Sequence, residues 1–269
     1  MRISGIWIYP VKSLRGIALD EAYAEPRGLQ NDRRWMLVDE RGEMITQRQV
    51  HDLALLTVEL QGECLFLGHQ NPGYGKASMP IAVANGERIP VVVWGDTVMA
   101  LWPGLEADAW LSDTVGLNCR LVYMDDKAER YADQRYAGAG RMVSFADGYP
   151  YLLVNQSSLD DLSRRAGQPF EPERFRPNLL VEGATAFAED TWRRIRIGEL
   201  HFDLVKPCGR CVVITLDPKT GRKGVEPLRT LSEFRQKEGK VLFGSNMVVQ
   251  NAGPLRQGMA LELVESRYF

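Results

Sequence analysis

The sequence contains little cysteine and histidine and no excess of either charge. Its 269 residues include four cysteines and three histidines, and 33 lysines and arginines nearly balance 35 aspartates and glutamates to give a formal net charge of −2. Four cysteines in a chain of this length do not make a disulfide scaffold, so a reducing cytoplasm is the expected location. The charge balance also argues against a general nucleic-acid-binding role.

Long apolar runs, repeats and low-complexity segments are also absent. The chain starts with strand-like sequence and has no apolar run long enough to cross a bilayer, so we expect neither a signal peptide nor a membrane anchor. The C-x₄-C-x₂-C spacing of plant-type iron–sulfur proteins is missing, so no such cluster is expected in this chain. With 45% hydrophobic and 25% charged residues, the composition is that of a soluble globular protein with one or two domains.

The strongest chemical signal is the stretch Lys-Pro-Cys-Gly-Arg-Cys at residues 206–211. It places two thiols beside two fixed positive charges, Lys206 and Arg210. Apolar, β-branched residues on both sides predict a short bend between two strands, with the second strand over residues 211–216. Nearby positive charge favours the thiolate, which is the form that binds a soft metal ion or attacks an electrophile.

Three other interpretations of these cysteines stay open at this level. A structural zinc site needs four ligands, usually as two close pairs, and the remaining cysteines, Cys64 and Cys119, are isolated. A thioredoxin-like dithiol places its second cysteine in the opening turn of a helix, whereas the residues after Cys211 look like a strand. Both thiols would otherwise be ordinary small buried residues, which leaves the neighbouring Lys206 and Arg210 unexplained.

The first half of the chain predicts an all-β unit, a barrel or a sandwich, because short strand patterns recur between tight turns. These turns lie at residues 39–42, 61–62, 85–86 and 95–96. The strands expected around them cover residues 3–8, 34–38, 44–47, 53–60, 64–67, 81–83, 88–94 and 97–102. Residues 105–115 have helical spacing, and Gly116 follows as a C-terminal glycine. Residues 119–124 return to strand, and a charged loop without a clear period begins at residue 125. We therefore expect two domains, residues 1–124 and 125–269.

The second half alternates strand patterns with two helices. We expect strands at 151–154, 179–181, 192–197, 199–205, 248–250 and 260–264. Helices are expected over residues 159–166, capped by Ser157 and ended by Gly167, and from residue 228 to a closing Gly239. The predicted fold is mainly β with some α, an N-terminal β-barrel-like domain packed against a β-rich domain with flanking helices.

Four basic loops adjoin the ends of predicted strands. They cover residues 12–13, 32–35, 176–178 and 206–211. Together they could line a pocket for an anion, in which each charge-assisted contact contributes about 1.5–3 kcal/mol. Spacing along the sequence does not show that these loops converge.

The same loops carry a resemblance to a known family. The matching segments are Tyr9-Pro-Val-Lys-Ser13, Asp32-Arg-Arg-Trp35, Asp147-Gly-Tyr-Pro150, Phe175-Arg-Pro-Asn178, Cys208-Gly-Arg-Cys211, Thr215-Leu-Asp-Pro218 and Leu242-Phe-Gly244. In this order they resemble MOSC proteins (the molybdenum cofactor sulfurase C-terminal domain) with the MOSC N-terminal β-barrel domain in front. Mitochondrial amidoxime-reducing components and bacterial hydroxylaminopurine-resistance proteins share this arrangement.

The resemblance implies a molybdenum–molybdopterin cofactor between the two domains. Cys211 matches the cysteine that ligates the metal, and is thus the expected catalytic residue. The positions that match residues around the pterin and its phosphate are Lys12, Ser13, Arg33, Gly148, Tyr149, Arg176, Asn178, Gly209, Arg210 and Asn246. Backbone contacts are expected at Gly148 and Tyr149, and Asn246 replaces a tyrosine of the mitochondrial members. Cys208 is expected to be structural or to support the ligand.

The implied activity is a molybdenum-dependent oxidoreductase. It would reduce N-hydroxylated compounds (hydroxylamines, amidoximes, hydroxylaminopurines), a detoxifying reaction, with electrons from a separate ferredoxin, flavodoxin or reductase-type protein. The alternative is a cofactor carrier or sulfur-transfer protein with a persulfide on Cys211, and a third hypothesis is a C-x-x-C protein without a pterin. The sulfurases add a pyridoxal-phosphate domain, for which this chain leaves no room, so pyridoxal phosphate is not expected.

Overall fold

The computed structural model describes residues 1–267, and most of its regular structure is β. The strands of the first half are β1 (Arg2–Ile8), β2 (Ile17–Leu19), β3 (Glu21–Glu25), β4 (Gly28–Leu29), β5 (Trp35–Val38), β6 (Leu56–Gln61), β7 (Cys64–His69), β8 (Lys76–Pro80), β9 (Glu87–Val93), β10 (Asp96–Trp102) and β11 (Arg120–Tyr123). Those of the second half are β12 (Tyr151–Asn155), β13 (Leu179–Glu182), β14 (Trp192–Ile197), β15 (Leu200–Arg210), β16 (Gln236–Lys237), β17 (Lys240–Val249), β18 (Gly253–Arg256) and β19 (Leu261–Ser266). The α-helices are α1 (Glu106–Val115), α2 (Gln134–Ala137), α3 (Gln156–Ala166) and α4 (Leu228–Phe234). The predicted class, mainly β with some α, is confirmed.

The largest sheet joins the start of the chain to its second half. Its strands lie in the order β19-β14-β15-β17-β12-β13-β1-β2, and β16 pairs with β17 beside this path. β1 is antiparallel to β13, with Ile6 opposite Leu179, and β2 pairs with the other edge of β1. Buried aliphatic side chains, among them Ile3, Ile8 and Leu153, pack in the core of this sheet.

Three smaller sheets complete the β structure, in the orders β5-β11-β10-β9, β18-β3-β4 and β6-β7-β8. Trp35, Leu65 and Leu121 lie in the main buried core of the first half. Within residues 1–267 none of the four sheets closes on itself, so the barrel-like unit is not one continuous hydrogen-bonded barrel. β1 pairs with β13 across the expected boundary between residues 124 and 125, and that boundary stays a prediction.

The helix ends follow from capping chemistry. α1 ends at Gly116 and α3 at Gly167, both in the left-handed conformation that glycine adopts without strain. The N-cap of α3 is Asn155, whose side chain accepts a hydrogen bond from the Ser157 backbone N–H, so the expectation of a Ser157 cap was wrong. α4 stops before Gly239, which lies in the turn from β16 to β17. No helix of the described chain is both long and apolar enough to cross a bilayer.

Several short apolar segments were assigned the wrong structure. Val212–Thr215 forms one turn of 3₁₀-helix, as does His51–Leu55 in front of β6. Residues 44–47 and 81–83 do not form strands, although Met44 makes one bridge to β5. Short buried apolar runs suit a strand or a buried turn equally well, and only the surrounding packing decides between them. The sequence pattern also missed α2 and most of β17.

Candidate functional site

All of the predicted site residues line one cavity. These are Lys12, Ser13, Arg33, Gly148, Tyr149, Arg176, Asn178, Gly209, Arg210, Cys211 and Asn246. The rest of the lining comprises Thr46, Gln47, Arg48, Trp94, Ala146, Asp147, Leu152, Arg174, Phe175, Cys208, Val213 and Ile214. The convergence that spacing along the sequence did not show is therefore present in the fold.

The large sheet brings several of these loops to one edge. Lys12 and Ser13 follow the end of β1, and Arg176 and Asn178 precede the start of β13. Since β1 and β13 are antiparallel, these two chain ends meet at the same edge. β12 is parallel to β13, so the residues just before it, including Tyr149, reach that edge as well.

The cysteine stretch lies on a distorted strand and not in a bend between two strands. β15 continues to Arg210, and its register against β17 shifts before Lys206 and after Pro207. Bulges of this kind bend a strand and redirect its side chains. Cys211 then begins a 3₁₀ turn. The expectation that a strand follows Cys211, which distinguished this stretch from thioredoxin-like dithiols, was therefore wrong. Lys206 does not line the cavity, because its ammonium lies over the Tyr136 ring, 3.9 Å from the centroid.

The cavity lining is strongly cationic. It contains one lysine and five arginines but only one carboxylate, Asp147. Arg33 is held in place by Asp32 Oδ2 at 2.5 Å and by Asn178 Oδ1 at 3.2 Å. Asp32 is buried and also accepts hydrogen bonds from the Asn178 amide and from the Tyr9 backbone N–H. This network fixes the guanidinium of Arg33 at the cavity wall.

Lys12 is a buried cation. Its Nζ donates to Phe145 O at 2.8 Å and to Asp147 Oδ1 at 2.6 Å. Burial lowers the pKa of Lys12 below its ordinary value, and the adjacent Asp147 carboxylate opposes this effect. For Asp147, burial alone would raise the pKa, but Lys12 and the Trp94 N–H hold that pKa well below its usual range. Lys12 is thus a buried donor at the cavity wall, whose charge is supported by the Asp147 carboxylate.

Arg176 occupies a similar position. Its Nη1 donates to Leu14 O at 2.7 Å, and its guanidinium lies 4.2 Å from the centroid of the Tyr9 ring. Arg33 lies near the same ring at 4.3 Å. Burial, followed by the nearby charge of Arg33, lowers the pKa of Arg176 to about 10. Concentrated positive charge is thus maintained in a desolvated environment, which favours a bound anion.

Unfavourable backbone conformations cluster at this cavity. Non-glycine residues with positive φ in the described chain include Ser13 (69°), Arg33 (50°), Trp94 (52°) and Arg176 (56°), and all four line the cavity. Such conformations cost of order 1–3 kcal/mol each and concentrate at functional sites. This observation marks the site independently of any family resemblance.

Two free thiols, Cys208 and Cys211, stand in the cavity wall and are partly exposed. Arg210 donates from Nη1 to Cys208 Sγ at 3.2 Å and from Nη2 to Phe175 O at 2.6 Å. Its Nε is buried and has no hydrogen-bond partner within residues 1–267. The same residues contain no group of three or more His, Cys, Asp or Glu side chains placed to hold a metal ion. A metal bound by Cys211 would therefore need other ligands.

Sequence reasoning missed part of the lining. Trp94 was expected at the end of a strand with the turn at 95–96, but the turn is Trp94-Gly95, between β9 and β10. Arg48 lies on its ring, at 4.3 Å from the centroid. A Trp-Gly pair between two alternating strands was the signal that could have identified this turn.

The fold and the cavity define a β-rich protein with a cationic, thiol-containing cavity. The family model of the MOSC N-terminal beta barrel domain matches residues 1–118, and the family model of the MOSC domain matches residues 140–262. The chain belongs to the MOSC family, in the arrangement in which the N-terminal domain precedes the MOSC domain.

Individual proteins are similar to this chain over most of its length. The chain is 34% identical to the mitochondrial amidoxime reducing component 2 of Rattus norvegicus, over 95% of this chain and 81% of that protein. It is 30% identical to the molybdenum cofactor sulfurase of Oryza sativa, over 91% of this chain and 32% of that protein. Among solved structures, the YUAD protein from Bacillus subtilis aligns with 97% of this chain over 93% of its own length, with 11% sequence identity and a TM-score of 0.46.

Proposed function

We propose that this protein is a molybdenum-cofactor-binding oxidoreductase that reduces N-hydroxylated compounds with electrons from a separate donor protein. The observation that carries the proposal is the convergence of the predicted cofactor residues on one cationic cavity that contains the thiol of Cys211. The similarity to proteins named amidoxime-reducing components supports the substrate class.

The residues present fit the cofactor. A phosphate dianion needs several cationic donors, and the cavity offers six cationic side chains against one carboxylate. A soft metal with a dithiolene ligand needs only one thiolate from the protein. Arg210 also has a buried Nε without a partner within residues 1–267, which indicates a missing acceptor nearby.

Each side chain has a role in this proposal. Cys211 supplies the thiolate that ligates the metal. The groups that hold the pterin and its phosphate are Lys12, Ser13, Arg33, Arg176 and Asn178, with Gly209, Arg210 and Asn246 completing the pocket. Gly148 has no atom within 4 Å of the position where a Cβ would lie, so its backbone is open to a ligand at this point.

The chemistry follows from the reaction class. Reduction of an N-hydroxylated substrate consumes two electrons and two protons, breaks the N–O bond and releases water together with the amine, or the amidine in the case of an amidoxime. The cofactor, when bound, supplies the two-electron redox chemistry. The chain binds and orients that group, and its ordered cations reduce the cost of holding an anion away from bulk water. A ferredoxin, flavodoxin or reductase-type partner delivers the electrons.

The alternative proposal is a cofactor carrier or sulfur-transfer protein, with a persulfide on Cys211. The relative named molybdenum cofactor sulfurase favours it, although this chain spans only 32% of that protein. A cytoplasmic location and a role in detoxification stay predictions. The location of the cofactor between domains 1–124 and 125–269 is part of the proposal, because residues of both segments line the cavity.

The test compares the two cavity thiols. Protein produced in a host that makes the cofactor is analysed for molybdenum and pterin, and its reduction of an amidoxime is measured with an artificial electron donor. We expect molybdenum in the wild type, loss of reduction in Cys211→Ala, and retention of most activity in Cys208→Ala. Equal loss in both variants would contradict the assignment of the ligand, and stoichiometric cofactor without reductase activity would favour the carrier.

A further inference from the structure

Trp94 occupies a backbone position that suits glycine or asparagine. β9 and β10 are joined by the two-residue turn Trp94-Gly95, across which Val93 pairs with Asp96. Both turn residues have positive φ, 52° and 94°, as in a type I′ hairpin, where Asn-Gly is preferred. A bulky side chain is strained in this conformation. The requirements of the turn do not explain a tryptophan here, so the reason for it lies in the side chain.

The strained side chain lies at the rim of the cationic cavity. Trp94 lines the cavity and is 39% exposed. Its Nε1 donates to Asp147 Oδ1 at 3.0 Å, and the same oxygen accepts a hydrogen bond from Lys12. The indole is thus an accessible aromatic wall, held in a fixed orientation beside the proposed cofactor residues.

The ring already carries a planar group. The Arg48 guanidinium lies 4.3 Å from the indole centroid, and the Lys12 ammonium lies 5.5 Å from it. A guanidinium is flat and delocalised, so this contact shows that the ring accepts a planar group at stacking distance. Arg48 is exposed and has many rotamers, and it can leave the ring at small cost.

We propose that Trp94 determines substrate specificity: its ring stacks on the planar, conjugated body of the N-hydroxylated substrate, and Arg48 covers the ring when no substrate is bound. The substrates that fit best are aryl amidoximes and hydroxylaminopurines, and compounds with a saturated body fit less well. This inference rests on the proposed reductase function and deepens it by naming the substrate shape.

The test uses two amidoximes that differ only in the planarity of the ring, benzamidoxime and cyclohexanecarboxamidoxime. Their binding to molybdenum-loaded protein is measured by calorimetry without an electron donor, so that no turnover occurs, and KM is measured separately with a donor. In Trp94→Leu the affinity for benzamidoxime should fall by about three- to tenfold, while that for the saturated compound changes little. In Trp94→Phe most of the preference should remain, because phenylalanine still stacks although it cannot donate to Asp147.

Arg48→Ala provides a test in the opposite direction. Removal of the guanidinium frees the ring, so benzamidoxime should bind at least as tightly as it does to the wild type. A loss as large as that in Trp94→Leu would overturn the role of Arg48 as a cover. Equal losses for both amidoximes in Trp94→Leu, or equal behaviour of the Phe and Leu variants, would overturn stacking. Molybdenum content and melting temperature are measured for every variant.

Tryptophan fluorescence tests the contact independently of whether the Trp94→Leu variant folds. Benzamidoxime should quench part of the tryptophan fluorescence of the wild type, and this quenching should disappear in Trp94→Phe. Quenching that persists in Trp94→Phe would overturn the contact. If the loaded wild type reduces neither amidoxime, the proposed reductase function fails, whereas the binding preference is measured without turnover and is judged separately.

Discussion

Two cationic residues at this site, Lys12 and Arg176, are buried, and burial disfavours their charged forms. Lys12 and Arg176 are positioned by backbone carbonyl groups, Phe145 O and Leu14 O, which orient the cations without neutralising them. The only carboxylate in the lining, Asp147, contacts Lys12. Uncompensated positive charge in a confined space is costly for the protein alone and favourable once an anion is bound.

The lowered pKa values of Lys12 and Arg176 predict that anion binding depends on pH. Burial lowers the pKa of Lys12 below 10.5 and that of Arg176 to about 10, so both lose their protons at lower pH than exposed side chains do. Affinity of the cofactor-free protein for inorganic phosphate should therefore fall as the pH rises toward about 10, where Arg176 loses its proton. Calorimetric titration from about pH 8 to about pH 11, where phosphate stays a dianion, measures this fall.

Two variants check the origin of this pH dependence. Lys12→Arg should move the decline to higher pH, because a guanidinium has a higher pKa than an ammonium. Lys127→Ala removes an exposed lysine outside the cavity lining and should leave the curve unchanged. A curve that is flat up to the highest pH, or one that Lys127→Ala shifts equally, would contradict the assignment.

At the scale of elements, β17 connects the two sides of the site. It pairs with β12 on one edge and with β15, which leads to Cys211, on the other. Gly244 has a φ of 74° at this strand, and an added Cβ would lie 2.7 Å from Leu153 O and 3.1 Å from Val154 Cγ2. Only glycine allows both the backbone conformation and this close approach of neighbouring strands.

Gly244→Ala should therefore destabilise the whole sheet. The clash with backbone and the positive φ together should lower the free energy of unfolding by about 2–4 kcal/mol. Denaturation by urea measures this change. Gly239→Ala is the matched control, because Gly239 has a φ of 73° but no atom within 4 Å of the added Cβ, so only the backbone cost of about 1 kcal/mol is expected there. Equal losses in the two variants would show that close packing at Gly244 has no effect.

At the scale of the whole molecule, the cavity depends on both halves of the chain. Lys12, Arg33 and Trp94 come from the first half, and Arg176 and Cys211 come from the second. β1 belongs to the sheet of the second half, which fixes the following loop against the start of β13. A ligand in the cavity therefore contacts both halves at once and should stabilise the folded molecule as a unit.

Lys12→Ala and Arg176→Ala should each lower cofactor occupancy without unfolding the protein. Each variant removes one charge-assisted contact, so the affinity for the cofactor should fall about tenfold or more. Molybdenum per protein is measured by elemental analysis, and folding is checked by melting temperature. Arg196→Ala, which removes an exposed arginine paired with Glu262, is the control and should keep full occupancy. Normal occupancy in both cavity variants would mean that these loops do not hold the phosphate.

The sequence by itself determined what depends on local pattern and on short motifs. Alternating apolar residues and turn residues predicted the mainly β class, glycines marked the ends of α1 and α3, and the ordered motifs indicated the MOSC family. Tertiary structure alone decided the convergence of the loops, the path of β15 through Arg210, the orientation of Lys206 toward Tyr136, and the place of Trp94 and Arg48 at the cavity rim. The physical reason is that strand register and bulges between segments distant in sequence set the direction of each side chain, and nothing local encodes that pairing.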